Sequence, residues 1–457
     1  MIILAFGEKI LKYREDILND LKQLVAIESV ASKSTDECTR ALEFMLNRAQ
    51  ELGLETENVE DIAGHAQYGS GGRLCGVLTH LDVVPAGSGW SSSAFELTKR
   101  DGRLYGRGVA DDKGAAVVAL YCLKALKDEG VIGKNTLRAI FGTREEVGME
   151  DMKAYFKAQP MPDMSFTPDC DYGICISEKG IMQLEITAPD NDGTFLNEFR
   201  AGNAVNAVPD KAYVLLDCSE SDEHQLYRFA DAKTEVDFEF KYTIDGMMII
   251  ATGKAAHACE PEKGVNAAAQ LIDLLTSNFG YRGLGSLIGF IDSAISIETN
   301  GNSLGIKMRD SASGSLTLCL STVTVTENSA SATIDVRYPV TMDSSAILYR
   351  IRKAAEKEGL SVKVLCHQKP LHLGEDSPQI ELLKGAYKAV IGEEPKLYST
   401  GGGTYARELG GNGVAFGPVF PDDYSNMHEC DESLDEEKFF LHAQVCLQAM
   451  YEMIIKE

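Results

Sequence analysis

From Tyr13 onward the apolar residues Ile17, Leu21, Leu24 and Val25 recur at helical spacing, which predicts an amphipathic helix near the N-terminus. Ser34 and Glu37 carry the pattern of a capping box and predict a second helix behind it. Both helices are expected to cover one face of a sheet. Arg73 to Leu78 reads as a short strand whose apolar character runs on through His80, Leu81, Asp82, Val83 and Val84 to a break at Pro85-Ala86-Gly87. A glycine-rich turn, Gly106 to Gly114 (GRGVADDKG), leads into a helix with Val117, Leu120, Tyr121 and Leu123 inside and Gly130 as its stop. Thr136 to Phe141 is the next strand. Strand, helix and strand in succession predict a parallel pair. In such open sheets ligands bind beyond the carboxyl ends of the strands. That is where His80 and Asp82 follow one strand and Glu145 and Glu146 follow the other.

From about Gly180 the pattern changes to a long region of strand-like runs, including Ala212 to Leu216, Met247 to Ala251 and Ala332 to Tyr338. Signals like those of the first part return after Pro378, with Gly413 to Gly417 as a strand and Glu436 to Ile455 as a terminal helix. The expected fold is α/β: a catalytic domain of residues 1–180 and 378–457, built on a central, mostly parallel sheet and interrupted by a large α+β lid domain of residues 181–377.

Composition narrows the class of protein. A chain of 457 residues exceeds one typical domain. A net charge of −25 argues against nucleic acid or anionic lipid as partners, because the summed field would repel them. No apolar run approaches the ~20 residues of a membrane span. The N-terminal MIILAF lacks a basic flank and a cleavage pattern, so a cytoplasmic protein is expected. The 11 cysteines are scattered and include no CxxC pair, which suits reduced thiols and leaves His, Asp and Glu to hold any metal.

Two adjacent acids, Asp111 and Asp112, repel each other, and packing gives little reason to place them together. An N-cap followed by an exposed acid is the ordinary alternative. His80, Glu146, Asp169 and His428 also supply hard oxygen and imidazole donors where a core would not want them. Singly, Thr167-Pro168-Asp169 reads equally as a turn, Met427-His428-Glu429 as a loop, and Gly401-Gly402-Gly403 as a hinge or a phosphate cradle. Jointly, their order and their placement at strand ends favour a pair of divalent cations sharing one carboxylate across about 3.5 to 4 Å. Asp82 is placed to hydrogen-bond His80 and fix its tautomer, and Glu145 is free to act as a base.

HLDVVPAG, GRGVADDKG, GTREEVG, TPD and a late MH after GGGTYAR resemble the two-zinc metallopeptidase family of aminoacylases, glutamate carboxypeptidases and carnosinases. The closest resemblance is to its bacterial Xaa-His dipeptidase (PepV-type) branch. The resemblance covers nearly the whole chain and implies His80 and Asp169 on one zinc, Glu146 and His428 on the other, and Asp111 bridging them. It further implies Asp82 as the orienter of His80, Glu145 as general base to a zinc-bridged water, and a cis peptide at Asp111-Asp112. Two Zn2+ are the expected cofactors, with Co2+ or Mn2+ as substitutes.

In the insert, GKAAHACEPEKGVNA resembles the segment that carries the family's lid histidine and implies His257 as an oxyanion donor. Asn206 and Arg337 match substrate-holding positions, Arg337 for the C-terminal carboxylate, with Gly401, Gly402, Gly403 and Arg407 lining the same end. The insert is long enough for two related subdomains, which in this branch goes with a monomer. The expected activity is hydrolysis of unblocked dipeptides, of broad or Xaa-His type. Deacylation of N-acyl amino acids or cleavage of D-aminoacyl peptides is the nearest alternative, and a non-catalytic metal-binding protein a distant one.

Overall fold

In the strand Leu74–His80, neighbouring residues serve opposite cores: Val77 packs with one apolar cluster and Leu78 with another. The strand Thr136–Gly142 does the same, with Ala139 and Phe141 on one side and Ile140 on the other. Side chains alternate across a strand, so a run apolar throughout marks a strand covered on both faces. In this computed structural model, which describes residues 5–217, 220–281 and 283–456, the two strands pair in parallel with His80 opposite Gly142. Residues 1–4 of the MIILAF start and Cys218 lie outside the described residues.

The chain divides into two compact units, one of Met1–Ser177, Leu371–Tyr398 and Gly403–Glu457, the other of Glu178–Pro370 and Ser399–Gly402. In the first unit the sheet runs Glu55–Val59, Ala63–Tyr68, Thr136–Gly142, Leu74–His80, Met164–Thr167, Gly413–Ala415, Ile174–Glu178 and Leu371–His372. Its four middle strands are parallel and antiparallel pairs flank them on both sides. The parallel strands end on the same edge. Val77 lies opposite Phe166, so three residues further along each chain Asp169 draws level with His80. The helix Lys113–Asp128 is buried on nearly every side and packs in the same cluster as the terminal helix Glu436–Ile455. The helix Arg14–Val25 buries Ile17, Leu21, Leu24 and Val25, as their spacing predicts.

The capping box does not form. Ser34 is the N-cap of the helix Thr35–Glu51, but its side chain caps nothing, and Glu37 pairs with Arg40 one turn on. An ion pair along the helix surface competes with the backward reach that a capping box needs.

The second unit is one continuous antiparallel sheet of eight strands, ordered Asp237–Thr243, Gly246–Thr252, Lys211–Leu216, Leu196–Ala201, Thr317–Thr326, Ser329–Tyr338, Gly180–Ala188 and Ser361–Gln368. Most of its buried apolar residues form one core, against which the helices Ala267–Phe279 and Ser344–Lys357 pack. Between 280 and 315 the chain makes a short helix, Ser286–Phe290, that runs into a π-helical turn, Ile291–Ile295.

Candidate metal centre

The strand Leu74–His80 delivers His80 to the carboxyl edge of the first unit, 1% exposed. Its Nδ1 lies 2.9 Å from the backbone carbonyl of Asp82. A carbonyl only accepts, so Nδ1 carries the proton and Nε2 presents its lone pair. The carboxylate of Asp82 stands further off, 3.5 Å from Nδ1, and does different work. Its oxygens accept the backbone N–H groups of Glu145 at 3.1 Å and Glu146 at 3.2 Å. Asp82 thus fixes the tautomer of His80 through its backbone and pins the Glu-Glu turn through its side chain.

Asp111 follows the glycine-rich turn, and the Asp111-Asp112 peptide is cis. One carboxylate oxygen of Asp111 is 2.8 Å from His80 Nε2 and the other is 2.9 Å from His428 Nε2. Asp169 Oδ2 lies 3.8 Å from His80 Nε2, and Glu146 Oε1 lies 3.2 Å from His428 Nε2. Donor atoms of His80, Asp111 and Glu146 gather within 4.8 Å of one another, as do those of His80, Glu145 and Asp169. Glu145 thereby comes as near the His80 and Asp169 pair as a ligand would. His428 sits in the left-handed region at φ 64, a conformation that costs a residue other than glycine about 1 to 2 kcal/mol.

The electrostatics of the cluster match a cation site. Burial pushes the Glu145 carboxyl well above its ordinary range, and Asp169 adds to the effect. Burial and then Asp111 raise Asp169 to about 7, and the same two causes raise Glu146. Burial also opposes charge on Asp111, but His428 and His80 outweigh it and hold Asp111 low. Desolvation works against protonation of His428, yet Glu146 and Asp111 push it up from its ordinary value even though its side chain stays 41% exposed. So many acids cannot all stay charged in one buried place without positive charge among them.

His80 Nε2, Asp111 Oδ1, Glu145 Oε1 and Glu146 Oε1 are buried without a hydrogen-bond partner among the described residues. The 2.8 Å approach of His80 Nε2 to Asp111 Oδ1 therefore lacks hydrogen-bond alignment, as expected of lone pairs that converge on a third point. Imidazole and carboxylate donors in this arrangement fit zinc, and equally cobalt or manganese.

Three residues that sequence reasoning missed hold this centre or its neighbours. Glu432, fully buried, accepts backbone N–H groups from the Asp111 loop and pairs with buried Arg107. Asp112, read as one of a repelling pair, accepts the backbone N–H of His80 at 3.2 Å. Asp151 accepts the N–H groups of Thr143 and Arg144 at 2.6 and 2.8 Å and the Tyr405 hydroxyl. Nothing in the spacing of Glu432 or Asp151 announces these bonds.

The second unit holds most of the other expected residues. Ala207, next to Asn206, pairs with His257, and Ala258 N–H donates to Asn206 O at 2.9 Å. The Nδ1 of His257 accepts the backbone N–H of Cys259 at 3.2 Å, so Nε2 carries the donor proton of the neutral ring. Arg337, 3% exposed, is gripped by Asp335 through Nε at 2.5 Å and Nη2 at 2.9 Å, and its Nη1 donates to Gly401 O at 2.9 Å. Asp335 precedes Arg337 by two residues on one strand, hence on the same face, a signal that was present in the sequence. A Cβ on Gly401 would lie 2.7 Å from Cys259 Cβ, so the backbone needs glycine there. Gly402 N–H donates to Thr400 Oγ1 at 3.0 Å. Gly403 belongs to the first unit and lies against the Arg407 guanidinium.

Comparison with known proteins places the chain in a family. The profile of Peptidase family M20/M25/M40 matches residues 76–452. A Bacillus subtilis protein named "Putative dipeptidase YtjP" is 33% identical over 465 residues, covering 97% of this chain and 98% of its own. A Staphylococcus aureus protein named "Putative dipeptidase SAB1611c" is 31% identical over 467 residues, with 98% and 99% covered. Among solved structures, human carnosine dipeptidase 1 superposes with a TM-score of 0.63 at 16% identity, with 98% of each chain covered, and shares the fold.

Proposed function

The chain belongs to peptidase family M20/M25/M40, and from that premise we propose that this metallopeptidase hydrolyses unblocked dipeptides, broad or Xaa-His in preference. The observation that carries the reading is Asp111, with one oxygen directed to each of two imidazoles. Relatives over nearly the full length of the chain, each named a "Putative dipeptidase", support the substrate class.

His80 and Asp169 would hold one divalent cation, Glu146 and His428 the other, and Asp111 both. Two zinc ions are our assignment, with cobalt or manganese as substitutes. When bound, such cations polarise a carbonyl and lower the pKa of water. The residues supply the rest. Glu145, kept near by the Asp82 cradle, takes the proton of the attacking water and returns it to the leaving amine. Burial suits it to this task, because a carboxylate with a raised pKa is a stronger base. His257 offers Nε2–H to the oxyanion, Asn206 helps to hold the substrate, and Arg337 takes the peptide carboxylate with the N–H that remains on each terminal nitrogen. Gly401, Gly402, Gly403 and Arg407 line that end. We assign residues 1–180 and 378–457 to the catalytic domain and 181–377 to the lid, in a monomer of the cytoplasm. No helix among the described residues is long and apolar enough to cross a membrane.

Metal-stripped protein should be inert towards a panel of free dipeptides and regain turnover on adding zinc, while N-acetyl amino acids stay uncut. Cleavage confined to the acylated compounds would replace the dipeptidase by a deacylase on the same centre. Failure of any metal to restore turnover would remove the enzymatic reading altogether.

A further inference from the structure

Glu432 is fully buried, and one of its oxygens accepts three backbone N–H groups: Gly108 at 3.0 Å, Ala110 at 2.9 Å and Asp111 at 3.2 Å. Its other oxygen accepts Arg107 Nη1 at 2.6 Å, and its own carbonyl accepts Gly106 N–H at 3.1 Å. The whole turn from Gly106 to Asp111 is therefore wrapped around one side chain. Gly108 makes this possible, since at φ 90 a side chain would be strained and a Cβ would meet Lys113 and Val83 at 2.9 to 3.0 Å. Arg107, 1% exposed, closes the arrangement by donating through Nη2 to Glu429 O at 3.0 Å.

A buried ion pair contributes little net stability, since desolvation offsets its attraction, so stability alone does not account for this one. Geometry does. Glu432 stands four residues after His428 on the same segment, and the turn it holds ends at Asp111. We propose that Glu432, backed by Arg107, is a positioning residue that sets the separation of Asp111 from His428, and so the affinity of the cation position those two residues share. The proposal rests on the reading of Asp111 and His428 as ligands. The amide of Glu432→Gln can still accept the N–H groups, but its NH2 then faces the Arg107 guanidinium, donor against donor. The substitution keeps the volume and spoils the grip.

The test is calorimetric titration of metal-stripped wild type and Glu432→Gln with Mn2+ and with Zn2+, alongside circular dichroism and melting of the metal-free proteins. The expected result is a folded metal-free variant in which one of the two binding steps weakens about 10- to 100-fold, the scale of outer ligand-orienting substitutions, while the other changes less. Arg107→Gln should weaken the same step, and the double variant should be no worse than Glu432→Gln alone. A folded Glu432→Gln that takes both ions with wild-type affinity overturns the proposal. So does failure of both single variants to fold, since Glu432 would then hold the fold and not the ligands. A wild type that binds no metal would sink the functional reading on which the proposal stands, a result distinct from either.

Discussion

At Asp111 one carboxylate faces two imidazoles, and beside it Glu145 and Glu146, adjacent in sequence, are held by one neighbour. The Asp82 carboxylate takes both of their backbone N–H groups, which lets the two side chains leave the turn separately. Glu146 approaches His428 and Glu145 approaches His80 and Asp169. Replacing Glu145 by Gln or Ala should lower kcat by about 10²- to 10⁴-fold with bound metal unchanged, measured as turnover against metal content on the same sample. A variant within threefold of wild type would take the role of base away from Glu145. At this scale the gathering of His80, Asp111, Glu146, Asp169 and His428 in one place was legible, because each is a polar residue at a strand end or tight turn. Glu432 was not. Its hydrogen-bond partners lie more than 300 positions away along the chain, and no local pattern records a contact made at that distance.

Among the elements, the strand Thr136–Gly142 shows how packing carries a reactive turn. A Cβ on Gly142 would stand 2.0 Å from Tyr405 Oη and 2.6 Å from Asp151 Oδ2. Asp151 in turn holds the N–H groups of Thr143 and Arg144, the last residues before Glu145. Gly142→Ala should therefore cost about 1 to 3 kcal/mol of stability by overpacking and weaken metal binding as the turn shifts, read by urea unfolding and by metal titration. An alanine variant equal to wild type in both would show that the turn tolerates displacement. Element identity was read well where periodicity is strong: the terminal helix runs Glu436–Ile455 and the strand after the helix Lys113–Asp128 begins at Thr136, as expected. The capping box at Ser34 failed because Glu37 found Arg40 on its own helix, a choice between two local partners that spacing alone leaves open.

For the molecule as a whole, acid should act first through two buried imidazoles of the first unit. Burial lowers His442 from 6.5 to about 3, and burial with Arg138 lowers His65 equally far. Between those values the unfolded chain binds a proton that the folded chain refuses, so stability falls as pH drops from about 6.5 towards 3 and is insensitive to these groups above 6.5. Each contributes about 1.4 kcal/mol per pH unit in that window. Urea midpoints at several pH values should show this slope, and His442→Phe should remove about one proton's share of it. An unchanged slope would place the acid sensitivity elsewhere. The sequence by itself determined the two-sided strands, the helix between them and the polar residues at their ends, since alternation and spacing are local properties of the chain. Only the tertiary structure decided that the main strands of the insert join in one eight-stranded sheet, that Asp82 pins the Glu145 turn, and that Glu432 and Arg107 shape the Asp111 loop. Those choices are made by groups that meet only after folding, when a buried donor or acceptor must find a partner wherever along the chain it lies.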